Sequence, residues 1–145
     1  MGQEPIIIPG TNYQDERGIL TFFNSLDLSI VKRFYIVEHR DTIAVRAWQG
    51  HKREQKWFVV VSGSFKVVLV HPDNWDSPSQ SLPTADFILT SAITNVLHIP
   101  GGLANGIRAL KPDSKMIIFS DFSVDESSND TFRFKKELWY DWDKI

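Results

Sequence analysis

The strongest constraint on the fold is the segment Trp57-Phe58-Val59-Val60-Val61, then Ser62-Gly63-Ser64, then Phe65-Lys66-Val67-Val68-Leu69. Both runs are short, rich in aromatic and β-branched residues and bounded by turn residues, which reads as two strands. Neither run alternates apolar with polar, so both faces of these strands have to be covered. The spacing predicts a tight hairpin across Ser62-Gly63-Ser64, with Gly63 supplying the permissive backbone. Short apolar runs of the same kind predict further strands at Leu20–Phe23, Val31–Val37, Ile43–Trp48, Asp86–Thr90, Asn95–Ile99, Gly106–Leu110 and Met116–Phe122. Helical periodicity is scarce until the tail. The expected class is all-β: a small barrel or sandwich closed on itself, or completed by a second subunit.

At 145 residues the chain is expected to be one domain, residues 1–145, able to bury about two thirds of its unfolded surface. A net charge of −2 without a long basic run gives no support for nucleic-acid binding. The chain has no cysteine, which excludes a disulfide framework and a thiol nucleophile. No apolar stretch approaches the ~20 residues of a membrane helix, and no basic region followed by an apolar one opens the sequence. A cytoplasmic protein without a membrane partner is expected. His71 through Ser79 is turn-rich and reads as a long loop, and Phe132–Trp142 as a short helix or an edge segment docked on the barrel.

The residues with chemical potential fall at set intervals. Gln49-Gly50-His51 is followed by four residues, Lys56, six residues and Gly63; much later comes Pro100-Gly101-Gly102-Leu103-Ala104-Asn105. This is the spacing of a cupin metal site, His-x-His, Glu, Gly and then Pro-x-Gly-x-x-His, with the four ligand positions occupied by Gln49, His51, Lys56 and Asn105. One good ligand of four is present, and an ammonium stands where the carboxylate would be. A divalent cation wants several imidazole, thiolate or carboxylate donors at one point, so no metal and no other cofactor is expected. What such a pattern leaves is a concave pocket with one histidine and one fixed positive charge.

The chain resembles the sugar-nucleotide cupins that include dTDP-4-dehydrorhamnose 3,5-epimerase and the dTDP-4-keto-6-deoxyglucose 3,4-ketoisomerases. The resemblance is carried by Asp15-Glu16-Arg17-Gly18, by Val31-Lys32-Arg33-Phe34-Tyr35, by Arg46-Ala47-Trp48-Gln49-Gly50-His51-Lys52, by Gln55-Lys56-Trp57-Phe58-Val59 and by Ile99-Pro100-Gly101-Gly102-Leu103-Ala104-Asn105-Gly106. It implies a cupin, the double-stranded β-helix or jelly-roll barrel, working as a homodimer on a nucleotide sugar. The family's usual base aligns with Gln49, which cannot take a proton at neutral pH, and a later tyrosine that serves as acid aligns with Phe119. His51 is the remaining imidazole of the motif.

Epimerisation or keto migration on a 4-keto sugar begins with loss of a proton alpha to the carbonyl, so a base and a cationic partner for the developing enolate oxygen are the minimum set. The expected catalytic residues are His51 as base, Lys56 as the group that polarises the carbonyl and Tyr35 as the proton donor on the other side. The expected substrate-binding residues are Gln49 and Asn105 for sugar hydroxyls, Arg46, Arg33 and Arg17 for the diphosphate, and Trp48 as a wall. Strand parity puts Gln49 and His51 on one face and lets Arg46 join them only through a bulge. Lys56 in an apolar strand is either paired and functional or an edge-strand lysine that blocks aggregation. His39, His71 and His98 are read as structural or exposed, Trp57 as core, and Trp139-Tyr140-Trp142 as a seal on the barrel or a dimer contact.

Two functional readings follow. One is a metal-independent epimerase or ketoisomerase of a nucleotide-linked 4-keto-6-deoxy sugar in polysaccharide biosynthesis. The other is a cupin without chemistry that binds a nucleotide sugar or glycan, or supports a partner enzyme.

Overall fold

The computed structural model describes residues 3–144. In chain order the strands are β1 (Ile6–Pro9), β2 (Thr11–Asp15), β3 (Gly18–Phe22), β4 (Arg33–His39), β5 (Val45–His51), β6 (Lys56–Ser62), β7 (Ser64–Val70), β8 (Thr84–Thr90), β9 (Asn95–Ile99), β10 (Leu103–Ala109), β11 (Ser114–Ser120) and β12 (Phe132–Arg133). One five-stranded sheet has the order β1-β9-β6-β11-β4, the other β12-β5-β10-β7-β8, and β2-β3 is a separate hairpin. This is the expected all-β cupin jelly roll. The inner faces meet in a core of Phe58, Val60, Phe65, Val67, Leu97, Met116 and their neighbours, drawn from both sheets.

The outer faces explain the two-sided apolar strands. Trp57, Val59 and Val96 lie outside the first sheet under Ile8, Phe23, Leu26 and Val31. Val68, Val70 and Ala104 lie outside the second under Trp48 and the tail residues Leu138, Trp139, Tyr140 and Trp142. The tail aromatics therefore seal the barrel, and the tail contains both β12 and a single 3-10 turn at Trp142–Lys144.

The predicted hairpin at Gly63 is corrected by the pairing. β6 pairs with β9 and β11, whereas β7 pairs with β8 and β10, so the two runs belong to opposite sheets. Gly63 is the corner where the chain crosses between them: its φ is +76°, and a Cβ there would meet the Ser114 side chain at 2.1 Å. A run apolar on both faces fits either topology, and only the long-range partners choose between them. Lys56 also resolves: β6 is the central strand of its sheet, so Lys56 is not an edge-strand lysine.

A helix that the sequence reading omits, α1 (Val124–Ser128), follows β11. Ser123 caps its first turn, accepting from the Glu126 N–H, while Glu126 accepts from the Ser123 N–H. Lys32 adds an ion pair to Glu126 at 2.7 Å, fastening the helix beside the start of β4.

Candidate active site

A cavity of about 600 Å³ opens where β4 faces the β5–β12 edge of the other sheet. Its geometry begins with a bulge. Asn105 pairs with Gln49 and Gly106 with Ala47, leaving Trp48 as the extra residue of β5. The inserted residue shifts the side-chain alternation by one. Gln49 therefore faces inward opposite Asn105 while Arg46 faces inward opposite Ile107, and both line the cavity. Trp48 is almost fully buried between this wall and the tail, with its indole N–H on the Leu138 carbonyl at 3.0 Å.

At the floor, Lys56 leaves the central strand with its side chain only 4% exposed. Its ammonium donates to the Tyr35 hydroxyl at 2.8 Å and to Gln49 Oε1 at 3.4 Å. Beneath it lies Glu54, a fully enclosed carboxylate. Ser120 donates to Glu54 Oε2 at 2.5 Å, Arg33 donates to the same oxygen at 3.1 Å, and Ser127 from α1 donates to Oε1 at 2.7 Å. The Lys56 ammonium is 4.0 Å from Glu54 Oε2. Burial pushes the Glu54 carboxyl up, but the serine hydroxyls together with Lys56 and His51 outweigh it and hold the group below its usual range, as an anion.

His51 ends β5 on the same face as Gln49, yet it does not line the cavity. Its Nδ1 lies 3.0 Å from the Asp130 carbonyl oxygen and 3.2 Å from Glu54 Oε1, and its Nε2 is buried without a hydrogen-bond partner. Both neighbours of Nδ1 accept, so in the neutral ring Nδ1 carries the proton and Nε2 the lone pair. Burial, and then the Lys56 charge, push the His51 pKa down, which keeps the ring neutral at pH 7. The turn after His51 is pinned by Asp130, whose carboxylate accepts the N–H groups of Lys52, Arg53 and Glu54.

Of the sequence-predicted site residues, Lys56, Tyr35, Arg46, Gln49, Asn105, Arg33 and Trp48 line one cavity, and His51 lies behind its wall. Arg17 is not brought there. It sits at the exposed β2–β3 turn, bonded to Asp15 at 2.6 Å. Phe119 is also elsewhere: it packs beside Phe34 on the outer face of β11, ring centroids 5.9 Å apart, while Ile118 is the residue of that stretch that faces the cavity. His39, read as structural, holds Arg46, and His98 stacks on Trp57 at 4.9 Å.

Sequence reasoning missed Glu54, Ser127 and Arg133. Arg133 reaches the cavity because β12 pairs with β5, placing it opposite Gln49. Glu54 had a readable signal, since a buried lysine needs a partner and Glu54 is the acid nearest to Lys56 in sequence. The wall as a whole carries Arg33, Arg46, Lys56 and Arg133, with no carboxylate or imidazole among its described residues. The donor set does not fit a divalent cation, because an ammonium and two amides stand at three of the four cupin ligand positions.

The family model described as FdtA: WxcM-like, C-terminal matches residues 4–139. The chain belongs to that family. Among curated proteins there is no match. The FdtA-family chain is similar to a solved dTDP sugar isomerase from Desulfovibrio desulfuricans G20, with 18% identity, a TM-score of 0.78, and coverage of 99% of this chain and 94% of that one. It is similar to the dTDP-4-dehydrorhamnose 3,5-epimerase of Bacillus anthracis str. Ames, solved with TDP and PPi bound, at 20% identity, TM-score 0.74, covering 96% and 85%. It is also similar to a mutant 3,4-ketoisomerase QdtA from Thermoanaerobacterium thermosaccharolyticum in complex with TDP-4-keto-6-deoxyglucose, at 19% identity, TM-score 0.71, covering 92% and 90%. At these identities the likeness carries the fold. Among the described residues no helix is long and apolar enough to cross a membrane.

Proposed function

We propose that this chain is a metal-independent sugar-nucleotide isomerase, an epimerase or ketoisomerase of a nucleotide-linked 4-keto-6-deoxy sugar. The observation that carries the reading is the Lys56 ammonium on the cavity floor, 2.8 Å from the Tyr35 hydroxyl, in a wall of three arginines. Such a wall suits a diphosphate, and a fixed ammonium suits the oxygen on which enolate charge develops. The neighbours solved with TDP or a TDP-linked keto sugar support the ligand class.

In this reading, His51 Nε2 takes the proton alpha to the carbonyl. The C–H electron pair becomes the new C=C bond, and the carbonyl pair moves onto oxygen beside Lys56. For epimerisation Tyr35 returns a proton to the same carbon from the opposite face and the oxygen pair re-forms the carbonyl; for keto migration the enolate oxygen takes a proton, Tyr35 protonates the former carbonyl carbon, and the adjacent hydroxyl gives up its proton as its oxygen becomes the new carbonyl. His51 then releases its proton to solvent and Tyr35 regains one from it. Because His51 is enclosed, the floor between Gln49 and Lys56 has to part for this transfer. The outer face of β4, with Phe34 62% and Ile36 59% exposed, is the surface on which a homodimer would close.

The test is incubation with TDP-4-keto-6-deoxyglucose in D2O, following the sugar protons at C3 and C5 by NMR. Exchange that is lost in His51→Asn with binding retained supports the scheme. Exchange lost only in Tyr35→Phe moves the base to Tyr35. A second reading, a cupin that binds a nucleotide sugar without turning it over, is favoured by Gln49 at the position the resemblance gives to the family's base and by the absence of an imidazole among the described residues of the wall; binding by calorimetry without exchange would establish it.

A further inference from the structure

Glu54 is the most completely enclosed ionisable side chain of the floor, 0% exposed, and three cationic or imidazole side chains converge on it. An enclosed carboxylate of this kind is costly unless its lone pairs are filled and its charge is balanced. Here the division of labour is clear. Oε2 holds Arg33 and Ser120 and faces Lys56, whereas Oε1 holds Ser127 and faces His51 Nδ1. The backbone of Glu54 is fixed as well, its N–H on Asp130 Oδ2 at 2.8 Å.

We propose that Glu54 is the positioning residue of this site: one enclosed carboxylate aims Arg33 and Lys56 along the cavity floor and, with the Asp130 carbonyl, holds His51 in the Nδ1–H tautomer with Nε2 free. The inference rests on the isomerase reading for its catalytic consequence, but its geometry stands apart from it. Arg33 is the member that ties both together. Its Nε donates to the Phe122 carbonyl at 3.0 Å while its terminal nitrogen donates to Glu54, so the guanidinium is held from two sides with its remaining edge toward the cavity. Ser127 extends the same control to α1, because a residue of the cavity wall is fastened to the barrel through this one carboxylate. Glu54 itself does not line the cavity, so it acts through the groups it holds.

The first measurement uses the wild-type protein with 15N-labelled histidine. The expected result is a neutral His51 at pH 7 with the proton on Nδ1; a proton on Nε2 overturns the proposal. The second uses Glu54→Gln, which keeps the shape and removes the charge. The expected outcome is a His51 spectrum that becomes a tautomer mixture, TDP affinity by calorimetry lowered several-fold because Arg33 loses its charged partner, and solvent exchange at the sugar carbons reduced by at least ~30-fold, both partly restored in Glu54→Asp. A Glu54→Gln protein with an unchanged His51 spectrum and unchanged exchange would show that the carboxylate only fills space. If the wild type binds but exchanges nothing, the isomerase reading fails while the tautomer measurement still decides the role of Glu54. If Glu54→Gln does not fold, Glu54→Asp takes its place: a shortened carboxylate that leaves the His51 spectrum and the exchange rate as in the wild type overturns the proposal.

Discussion

Arg46 Nε donates a hydrogen bond to His39 Nε2 across 2.9 Å. An imidazole nitrogen that accepts has to be unprotonated, so this contact holds Arg46 only while His39 is neutral. Burial first, and the Arg46 charge second, push the His39 pKa below 6.5, against an opposing contribution from Asp41. The other packed neighbour, the Phe65 ring at 5.4 Å, carries no charge.

The pH dependence follows with a definite sign. His39 and His51 both have folded pKa values below the ordinary 6.5, so the unfolded chain takes up protons first. Both residues therefore cost stability as pH falls below about 6.5, and protonation of His39 releases Arg46. TDP-glucose, whose diphosphate does not titrate in this range, should bind several-fold more weakly at pH 5.5 than at pH 7.5. In His39→Gln, whose amide oxygen can accept from Arg46 at any pH, the slope should flatten. Affinity that rises on acidification, or an equal slope in both proteins, would rule out the His39 contact as its cause.

Tyr35→Phe removes the hydroxyl that Lys56 contacts and leaves the ring. Thermal stability should change by about 1 kcal/mol, the usual net worth of one hydrogen bond, and product formation should fall by ~100-fold or more while His51-dependent exchange at the sugar continues. Lys56→Met should stop exchange itself. Its cost in urea unfolding should stay at or below ~2 kcal/mol, because Glu54 keeps Arg33 and both serines. Product formation near the wild-type rate in Tyr35→Phe, or exchange near it in Lys56→Met, would count against the assigned roles.

The outer face of β4 and β11 predicts an assembly. Phe34, Ile36 and Val61 are exposed apolar residues beside half-buried Ile117 and Phe119 on one sheet face. Sedimentation should find a dimer for the native chain and a monomer for Ile36→Asp, with the far-UV circular dichroism unchanged. A native monomer would leave this face for some other partner.

Gly106 lies against the Trp142 ring, and a Cβ there would come within 2.5 Å of it. Gly106→Ala should displace the tail that covers Trp48 and lower stability by about 1–3 kcal/mol, the usual cost of overpacking. A change below half a kcal/mol would show that the tail yields freely. Arg133 would also shift in the variant, so TDP affinity should drop with the stability.

Much of this molecule was readable one residue at a time. The apolar runs at β6 and β7, the turn at Gly63 and the spacing from Gln49 to Asn105 depend on local conformational preference and on what a strand must bury, and those are properties of the amino acids themselves. They sufficed for an all-β barrel or sandwich, while the cupin form and most of the residues of one cavity came from the resemblance to the sugar-nucleotide cupins. Lys56 is the clearest case, because an ammonium in an apolar central strand demands a function or a partner. The tertiary structure decided what depends on long-range pairing. It put β6 and β7 in different sheets, inserted Trp48 as the bulge that turns Arg46 inward, and brought Arg133 across through β12. It also set His51 behind the wall and placed Glu54 beneath Arg33 and Lys56. A side chain's type is fixed by its codon, but its direction and its dielectric surroundings arise only when distant strands close around it.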